Sequence, residues 1–471
     1  MTDAPMTEQT VGHGATLAVV SEKDAPTQPR TARDAATSLL VRHARRDPDL
    51  HPAEIDDTGL APRDAALAHA IADQAVRRWG TIEYLLSRRL KRSFSAHAPE
   101  VRAALLAGAA QLLFFDRLPG YAVVNEAVGF TRERAGRKSA GLVNAVLRRF
   151  SEIIAHDEDG RPARREHWTG RRDELPLADG GARALTEDAL PEDELERLAV
   201  ATGLPSALLG RLSQHRAIDE VRRCALHSIA NPPVILNTAH ASAPLPEDDL
   251  EPHSIPGHHV FTGSAAALAT LLRSRADLWA QDPASSAAVP LAVGVNPSVV
   301  IDACAGRGTK TRQLRAFFPD ARILATDRND DRRHDLSLVF ADDPAVSVIA
   351  PEGLLDETGA ADLILLDVPC SNCGVLGRRP EARRRWSDRT VRSLADTQRQ
   401  ILADSIRLLA PGGAILYTTC SVDPRENEDQ LAWLEHWHRL RAVRSEARWP
   451  SGGPGAPASA SHDGGFAALA R

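Results

Sequence analysis

Cysteine is scarce in this chain: five residues in 471, at Cys224, Cys304, Cys370, Cys373 and Cys420. That density is too low for a disulfide scaffold, so reduced thiols, some of them reactive, are expected. No stretch of about 18 uncharged apolar residues occurs, and the first residues lack the basic-then-apolar pattern of a secretory signal. Neither membrane insertion nor secretion is expected, and the cytoplasm is the expected address. Lysine is nearly absent, four residues against fifty-three arginines. A GC-rich genome produces that bias without any binding strategy, and it makes Lys310 an unusual residue here. A large excess of one charge is missing too. The net charge of −6 argues against a protein that coats nucleic acid indiscriminately.

What is present is local asymmetry. Residues 81–150 carry twelve Arg or Lys against five acids, and residues 376–407 carry nine Arg against four. A solvated helix face explains either segment as well as a polyanion partner does. The length calls for two or three domains. Residues 1–30 are polar, rich in Thr, Ala and Pro, and without periodicity, which predicts a disordered tail. From 31 to 150 apolar residues recur at three- and four-residue spacing over 65–79, 100–115, 122–135 and 139–150, predicting a compact all-α domain. Residues 151–198 are acidic, punctuated by Gly and Pro, and weakly periodic, so a linker with room for a short helix is expected. Residues 199–288 mix a helical stretch at 206–229 with the extended segment Pro232-Pro233-Val234-Ile235-Leu236-Asn237, reading as a small α+β unit.

Beyond residue 298 short apolar runs alternate with helical patterns, the mark of an open, mainly parallel sheet wrapped by helices. Strands are expected at 299–301, 322–326, 346–349, 362–366 and 414–418, and a helix at 390–409. Such sheets collect ligands outside the carboxyl ends of their strands. Three expected strand ends carry chemistry. The first is the turn Asp302-Ala303-Cys304-Ala305-Gly306-Arg307-Gly308-Thr309-Lys310-Thr311, which leads from a strand into a helix. Glycines there let a backbone approach a ligand, and a helix N-terminus favours a carboxylate or phosphate. It matches neither the dinucleotide fingerprint nor the phosphate-loop spacing. Asp327, at the next strand end, can accept both hydroxyls of a ribose, although a solvated acid is the plainer reading. The second end is Asp367-Val368-Pro369-Cys370-Ser371-Asn372-Cys373, and the third is Tyr417-Thr418-Thr419-Cys420-Ser421. An acid and two cysteines are expected to converge beside the cleft. Cys370 and Cys373 are also spaced as half a zinc site or a redox pair, but no second pair follows and no His stands at ligand spacing near Cys420, so no metal is expected.

At these residues the chain resembles the RsmB/Sun family of bacterial ribosomal RNA 5-cytosine methyltransferases, over roughly 31–471. The helical part is similar to NusB-type domains at Gly108-Ala109-Ala110-Gln111-Leu112-Leu113 with Pro119, at Asn125-Glu126-Ala127-Val128 and at Val143-Asn144-Ala145-Val146-Leu147-Arg148-Arg149. The catalytic part carries Gln281-Asp282-Pro283-Ala284-Ser285, the three strand ends, Arg378-Arg379-Pro380-Glu381 with Trp386, and Glu426-Asn427-Glu428. It departs from the family pattern at Gly306-Arg307-Gly308-Thr309-Lys310, where Ala-Pro-Gly-Gly-Lys is usual, at Cys373, and at the loosened ending Asp463-Gly464-Gly465-Phe466. Glu352 stands where the family typically has an Asp near the adenine.

The resemblance implies a multidomain protein. After the tail at 1–30 come an all-α NusB-like RNA-binding domain (31–150), a linker (151–198), a small α+β RNA-binding subdomain (199–288) and an α/β Rossmann-like class I methyltransferase domain (289–471). It also implies S-adenosyl-L-methionine as cofactor, against Cys304, Ala305, Gly306, Arg307, Gly308, Thr309 and Lys310, with Asp327 at the ribose, Glu352 near the adenine, and Asp367 beside the cleft. By the same resemblance Cys420 is the nucleophile toward carbon 6 of a cytosine, Cys370 assists release, Asp367 meets the ring nitrogen, and Lys310 lies close to the base. The implied partner is RNA, ribosomal before transfer RNA, bound by a monomer without membrane or metal. Phosphate contacts are expected from the helical domain and from the arginines of 378–399. A non-catalytic assembly factor with a degenerate methyltransferase fold is the competing reading.

Overall fold

The structure, a computed structural model, describes residues 31–471; the tail expected at 1–30 lies outside them. Five helices, Ala32–Arg46, Pro62–Arg77, Trp79–Ser87, Pro99–Phe114 and Gly120–Ser151, make the first unit. Proline at the first position of Pro62–Arg77 and of Pro99–Phe114 starts each helix with its φ already set. The Ala- and Leu-rich Pro99–Phe114 is apolar on every face and is accordingly buried at the centre of the unit. The helices expected at 122–135 and 139–150 are one run, Gly120–Ser151, broken at Gly136, where φ is +82°.

The expected linker is not one. Within 151–198, Arg164–Arg165, Glu174–Pro176 and Ala182–Ala184 form a three-stranded antiparallel sheet, and the helix Glu194–Thr202 begins before the expected boundary at 199. Ile153, Leu175, Leu185 and Leu190 join the same apolar core as the helices. The segment's charges, which give it the look of a linker, are consumed internally. Fully buried Glu174 accepts from Thr169 N and Oγ1, Arg171 N and Arg165 Nη1 (2.6–3.1 Å), and buried Arg183 donates to Leu113 O and Asp116. A buried charge that is fully hydrogen-bonded leaves no periodic apolar signature.

The helical stretch expected at 206–229 is two helices, Ser206–Ser213 and Ile218–His227. They precede a four-stranded antiparallel sheet of Val234–Asn237, Leu250–Pro252, His258–Phe261 and Trp279–Ala280. The last unit is a seven-stranded sheet built from β1 (Val299–Asp302), β2 (Arg322–Ala325), β3 (Val346–Val348), β4 (Ala361–Asp367), β5 (Leu409–Thr419), β6 (Ala442–Arg448) and β7 (Gly465–Ala470), in the order β3-β2-β1-β4-β5-β7-β6. Its first five strands run parallel and β7 runs antiparallel to both neighbours. β6 and β7 went unread in the sequence because β7, Gly465-Phe466-Ala467-Ala468-Leu469-Ala470, is buried throughout and shows no alternation. The order reverses between β1 and β4, so their loops part there and open a crevice at the strands' carboxyl ends.

Arginines hold the first unit on the sheet domain. Fully buried Arg383 donates to the carbonyls of Arg77, Thr202 (3.1 Å), Ser228 (2.9 Å) and Leu376 (3.2 Å). Arg77 Nη1 reaches Gly377 O at 2.7 Å, and Arg384 pairs with Asp47 and Glu83 at 2.9 and 3.0 Å while lying over the Trp79 ring. Arg378 pairs with Asp463 and Asp282. The expectation that the arginines of 378–399 contact phosphate is therefore corrected for Arg378, Arg383 and Arg384, whose charges are spent between domains; Arg379, Arg389 and Arg392 stay exposed. No helix among the described residues is long and apolar enough to cross a membrane.

Candidate active site

Asp302 closes β1. Its Oδ2 accepts from Thr311 Oγ1 at 2.7 Å, its Oδ1 is buried and unpartnered among the described residues, and burial pushes the carboxyl up to about 7. The chain then turns through Gly306 and Gly308, both at positive φ, before the helix Thr309–Phe317. A side chain at Gly308 would also run into Leu336 and Phe340, which line the turn. Asp327, just past β2, ties this turn down: its Oδ2 accepts from Gly306 N at 3.0 Å and its Oδ1 from Asn329 N at 2.9 Å. Burial raises the Cys304 thiol well above its usual range, and the charges of Asp302, Asp367 and Asp327 raise it further, which marks the three carboxylates as its neighbours. Ala305 is buried, Thr309 is half-buried, and Arg307 points outward at 3.9 Å from Asp335. Glu352 is exposed in the turn Pro351–Glu357 after β3.

Lys310, on the first turn of the same helix, donates to Asp367 Oδ2 at 2.7 Å. Burial pulls the Lys310 ammonium down, but the charge and hydrogen bond of Asp367 outweigh it, so the amine stays protonated. Two residues past the end of β4, Pro369 leads into Cys370, and β5 ends one residue before Cys420. Their Sγ atoms stand 2.9 Å apart. Cys420 Sγ also donates to Asn372 Oδ1 at 3.2 Å, and Asn372 Nδ2 donates to the Cys370 carbonyl at 3.0 Å, which fixes which end of the amide faces the sulfur. Asn372 sits at φ +60°, a conformation that asparagine tolerates better than most residues. The hydrogen bond to Cys420, then burial, holds the Cys370 thiol well above its usual pKa. The structure thus brings Lys310, Asp367, Cys370 and Cys420 together from three strand ends, and Asp302 and Asp327 line the adjoining turn. Glu352 does not join them.

Sequence reasoning left two residues of this architecture, Asn372 and Glu426, without a role. Glu426 is buried between the two cysteine loops, accepting from Ser371 N (2.8 Å) and Oγ (2.5 Å), Ser421 Oγ (2.6 Å) and Gln398 Nε2 (3.2 Å). Burial raises its carboxyl, against the lowering effect of the two serines. Its only signal was the run Glu426-Asn427-Glu428 shortly after Cys420. Cys373 is not part of the pair: its Sγ lies 3.1 Å from Ser421 Oγ and accepts from Val422 N, and burial pushes its thiol up to about 12. Among the described residues no group of three or more His, Cys, Asp or Glu is placed to hold a metal ion.

Comparison with known proteins now decides what carries this cleft. Residues 291–452 match the model of the 16S rRNA methyltransferase RsmB/F family, and residues 30–152 match the NusB family. A methyltransferase of Mycobacterium tuberculosis is 30% identical over 420 residues, covering 88% of this chain and 85% of the relative. The chain belongs to the RsmB/F family. It is an S-adenosylmethionine-dependent rRNA methyltransferase with an N-terminal NusB domain. The ribosomal RNA small subunit methyltransferase B of Vibrio cholerae is 27% identical to it over 411 residues, 83% of this chain and 86% of the relative. The crystal structure of PH0851 shares the fold, with a TM-score of 0.68 at 20% identity over 93% of this chain and 98% of that one. The β1 turn suits the family's methyl donor: the unpartnered Asp302 Oδ1 and the Asp327 carboxylate complement an ammonium and ribose hydroxyls, and the start of the helix Thr309–Phe317 complements a carboxylate.

Proposed function

We propose that this enzyme methylates carbon 5 of a cytosine in 16S rRNA through a covalent adduct at Cys420. The observation that carries the reading is the sulfur pair Cys370–Cys420 at 2.9 Å beside the Lys310–Asp367 pair. Carbon 5 of cytosine is a poor nucleophile. Addition of the Cys420 sulfur to carbon 6 forms an S–C bond and moves the π electrons toward carbon 5, making it enamine-like. Asp367, held by Lys310, meets the ring nitrogen as hydrogen-bond partner and acid. S-adenosylmethionine, when bound, supplies an electrophilic methyl group, and Cys304 through Lys310 with Asp302 and Asp327 line the place for it. Once carbon 5 is methylated its proton must leave, the double bond re-forms and the S–C bond breaks. Cys370 is the group placed to assist. Its thiol is raised first by the hydrogen bond to Cys420; adduct formation removes that partner and lowers the thiol's pKa, so the Cys370 thiolate, the form that can accept the carbon 5 proton, forms more readily when release requires it. The base must be unpaired or extruded, since a stacked cytosine hides both faces.

Bisulfite sequencing of 16S rRNA and transfer RNA, from cells with and without the gene, tests the reading. One 16S cytosine is expected to lose its protection when the gene is deleted. Loss of protection in transfer RNA alone, or no change in either, would overturn the substrate or the chemistry. Two residue-level expectations follow from the geometry. Asp327→Ala removes a charged acceptor for the ribose, and calorimetry should show S-adenosylmethionine affinity lower by roughly 30-fold, from a charged hydrogen bond of about 2 kcal/mol. An unchanged affinity would remove Asp327 from the cofactor site. Asn372→Gly keeps the positive φ but frees the Cys420 sulfur, so kcat should fall by about tenfold or more while KM for RNA holds, as expected when a reacting atom is misplaced. A rise in KM at constant kcat would make Asn372 a substrate contact instead.

A further inference from the structure

A sizeable cavity lies apart from the catalytic residues. It lies where the helices Pro99–Phe114 and Gly120–Ser151 meet the segment 154–162, with a volume of about 1020 Å³. Its walls come from two parts of the chain: Arg117, Tyr121 and Arg148 from the NusB-family part, and His156 and Arg161 from residues beyond that match. Tyr121, one of three tyrosines in the chain, is 75% exposed there, unusual for a large aromatic side chain. Among the described residues Arg117 has no ion pair, Arg148 donates only its Nε to the neutral Asn144, and Arg161 keeps a loose 3.8 Å contact with Asp159. The acid in the groove, Asp116, is already committed to Arg183 and Arg164. What remains facing the cavity is positive charge around an exposed ring.

We infer that this groove binds a single-stranded segment of the substrate RNA, its phosphates against Arg117, Arg148 and Arg161 and a base stacked on Tyr121. The inference rests on the reading of the chain as an enzyme that takes an exposed base in RNA. Charge complementarity selects a polyanion. A concave groove with an exposed ring selects a flexible strand with unstacked bases over an A-form duplex, which presents shape and backbone and no free base faces. Because the walls belong to two segments, the site exists only where residues 154–162 are folded against the helices. It is a feature of this chain's architecture and not of the helical domain alone.

Fluorescence anisotropy of a labelled single-stranded oligoribonucleotide on the full chain, at several salt concentrations, tests it. Replacing all three arginines by glutamine should weaken binding at least tenfold and lower the salt slope by about 0.7 for each phosphate that is no longer neutralised. Tyr121→Ala should weaken binding between about 5- and 100-fold with the salt slope unchanged, and Tyr121→Phe should restore it, because stacking needs the ring alone. Melting midpoints and S-adenosylmethionine binding should match the parent in every variant. The inference is overturned if single-strand binding survives these changes, if only a duplex of the same sequence responds to them, or if an acidic peptide competes as well as RNA. Binding is read here without any methyl transfer. A chain that binds through the groove yet leaves every cytosine unmodified would refute the proposed chemistry and leave the groove standing.

Discussion

Cys420→Ala is expected to take methyl transfer below detection, a loss of more than about 10³-fold, while RNA binding survives. Without a nucleophile at carbon 6 the ring is never activated, and no neighbouring group can take over. Lys310 is protonated, and Cys370, although it loses its Cys420 partner in this variant, is still held as a thiol by burial and the charge of Glu426. Cys370→Ala should behave in the opposite sense. Its adduct forms and carbon 5 is methylated, but release stalls, so a protein–RNA species stable to denaturing electrophoresis should accumulate. The double variant should form none. Trapping by Cys420→Ala in place of Cys370→Ala would exchange the two roles. Equal thermal destabilisation by both substitutions without any trapped species would reduce the pair to ordinary buried side chains, and a methylating parent with no covalent species in either variant would remove Cys370 from release.

Arg383→Met should lower the melting midpoint on the order of 10 °C, from a loss of about 3–5 kcal/mol. Arg383 donates to four carbonyls from four separate segments, at Arg77, Thr202, Ser228 and Leu376. Methionine fills most of the volume and removes all four donations, leaving the Ser228 carbonyl with Arg77 Nη1 alone. Burial already pulls the guanidinium well below its usual pKa, with Arg77 and Arg78 adding to the effect, so the native state carries a real desolvation penalty that these hydrogen bonds offset. Scanning calorimetry should show the transition splitting as the helical unit comes free of the sheet domain. Arg384→Met, at a partly exposed site with two ion pairs, should shift the midpoint far less. A midpoint for Arg383→Met within about 2 °C of the parent would mean that the guanidinium's desolvation cancels its hydrogen bonds.

The five parallel strands were legible because each is a short apolar run flanked by a turn, and their ends carried Asp302, Asp327, Asp367, Cys370 and Cys420 in plain sight. β7 was not legible, since a strand buried on both faces between two neighbours has no period to detect. The sheet at 164–184 was hidden for the converse reason: its buried positions include Glu174 and Arg183, so composition reads it as a solvated linker.

By itself the amino-acid sequence determined the fold class and which loops hold the chemistry, because these follow from residue type at local spacing, and its resemblance to a known family implied the methyl donor. Only the tertiary structure decided that Cys370 and Cys420, fifty residues apart, stand 2.9 Å from each other, on loops that one buried carboxylate, Glu426, ties together through Ser371 and Ser421. The tertiary structure alone likewise put Arg383 to work as a staple between domains instead of as a phosphate contact. Whether a charged side chain faces water, a ligand or a carbonyl depends on what other segments pack against it, and no local spacing in the chain encodes that.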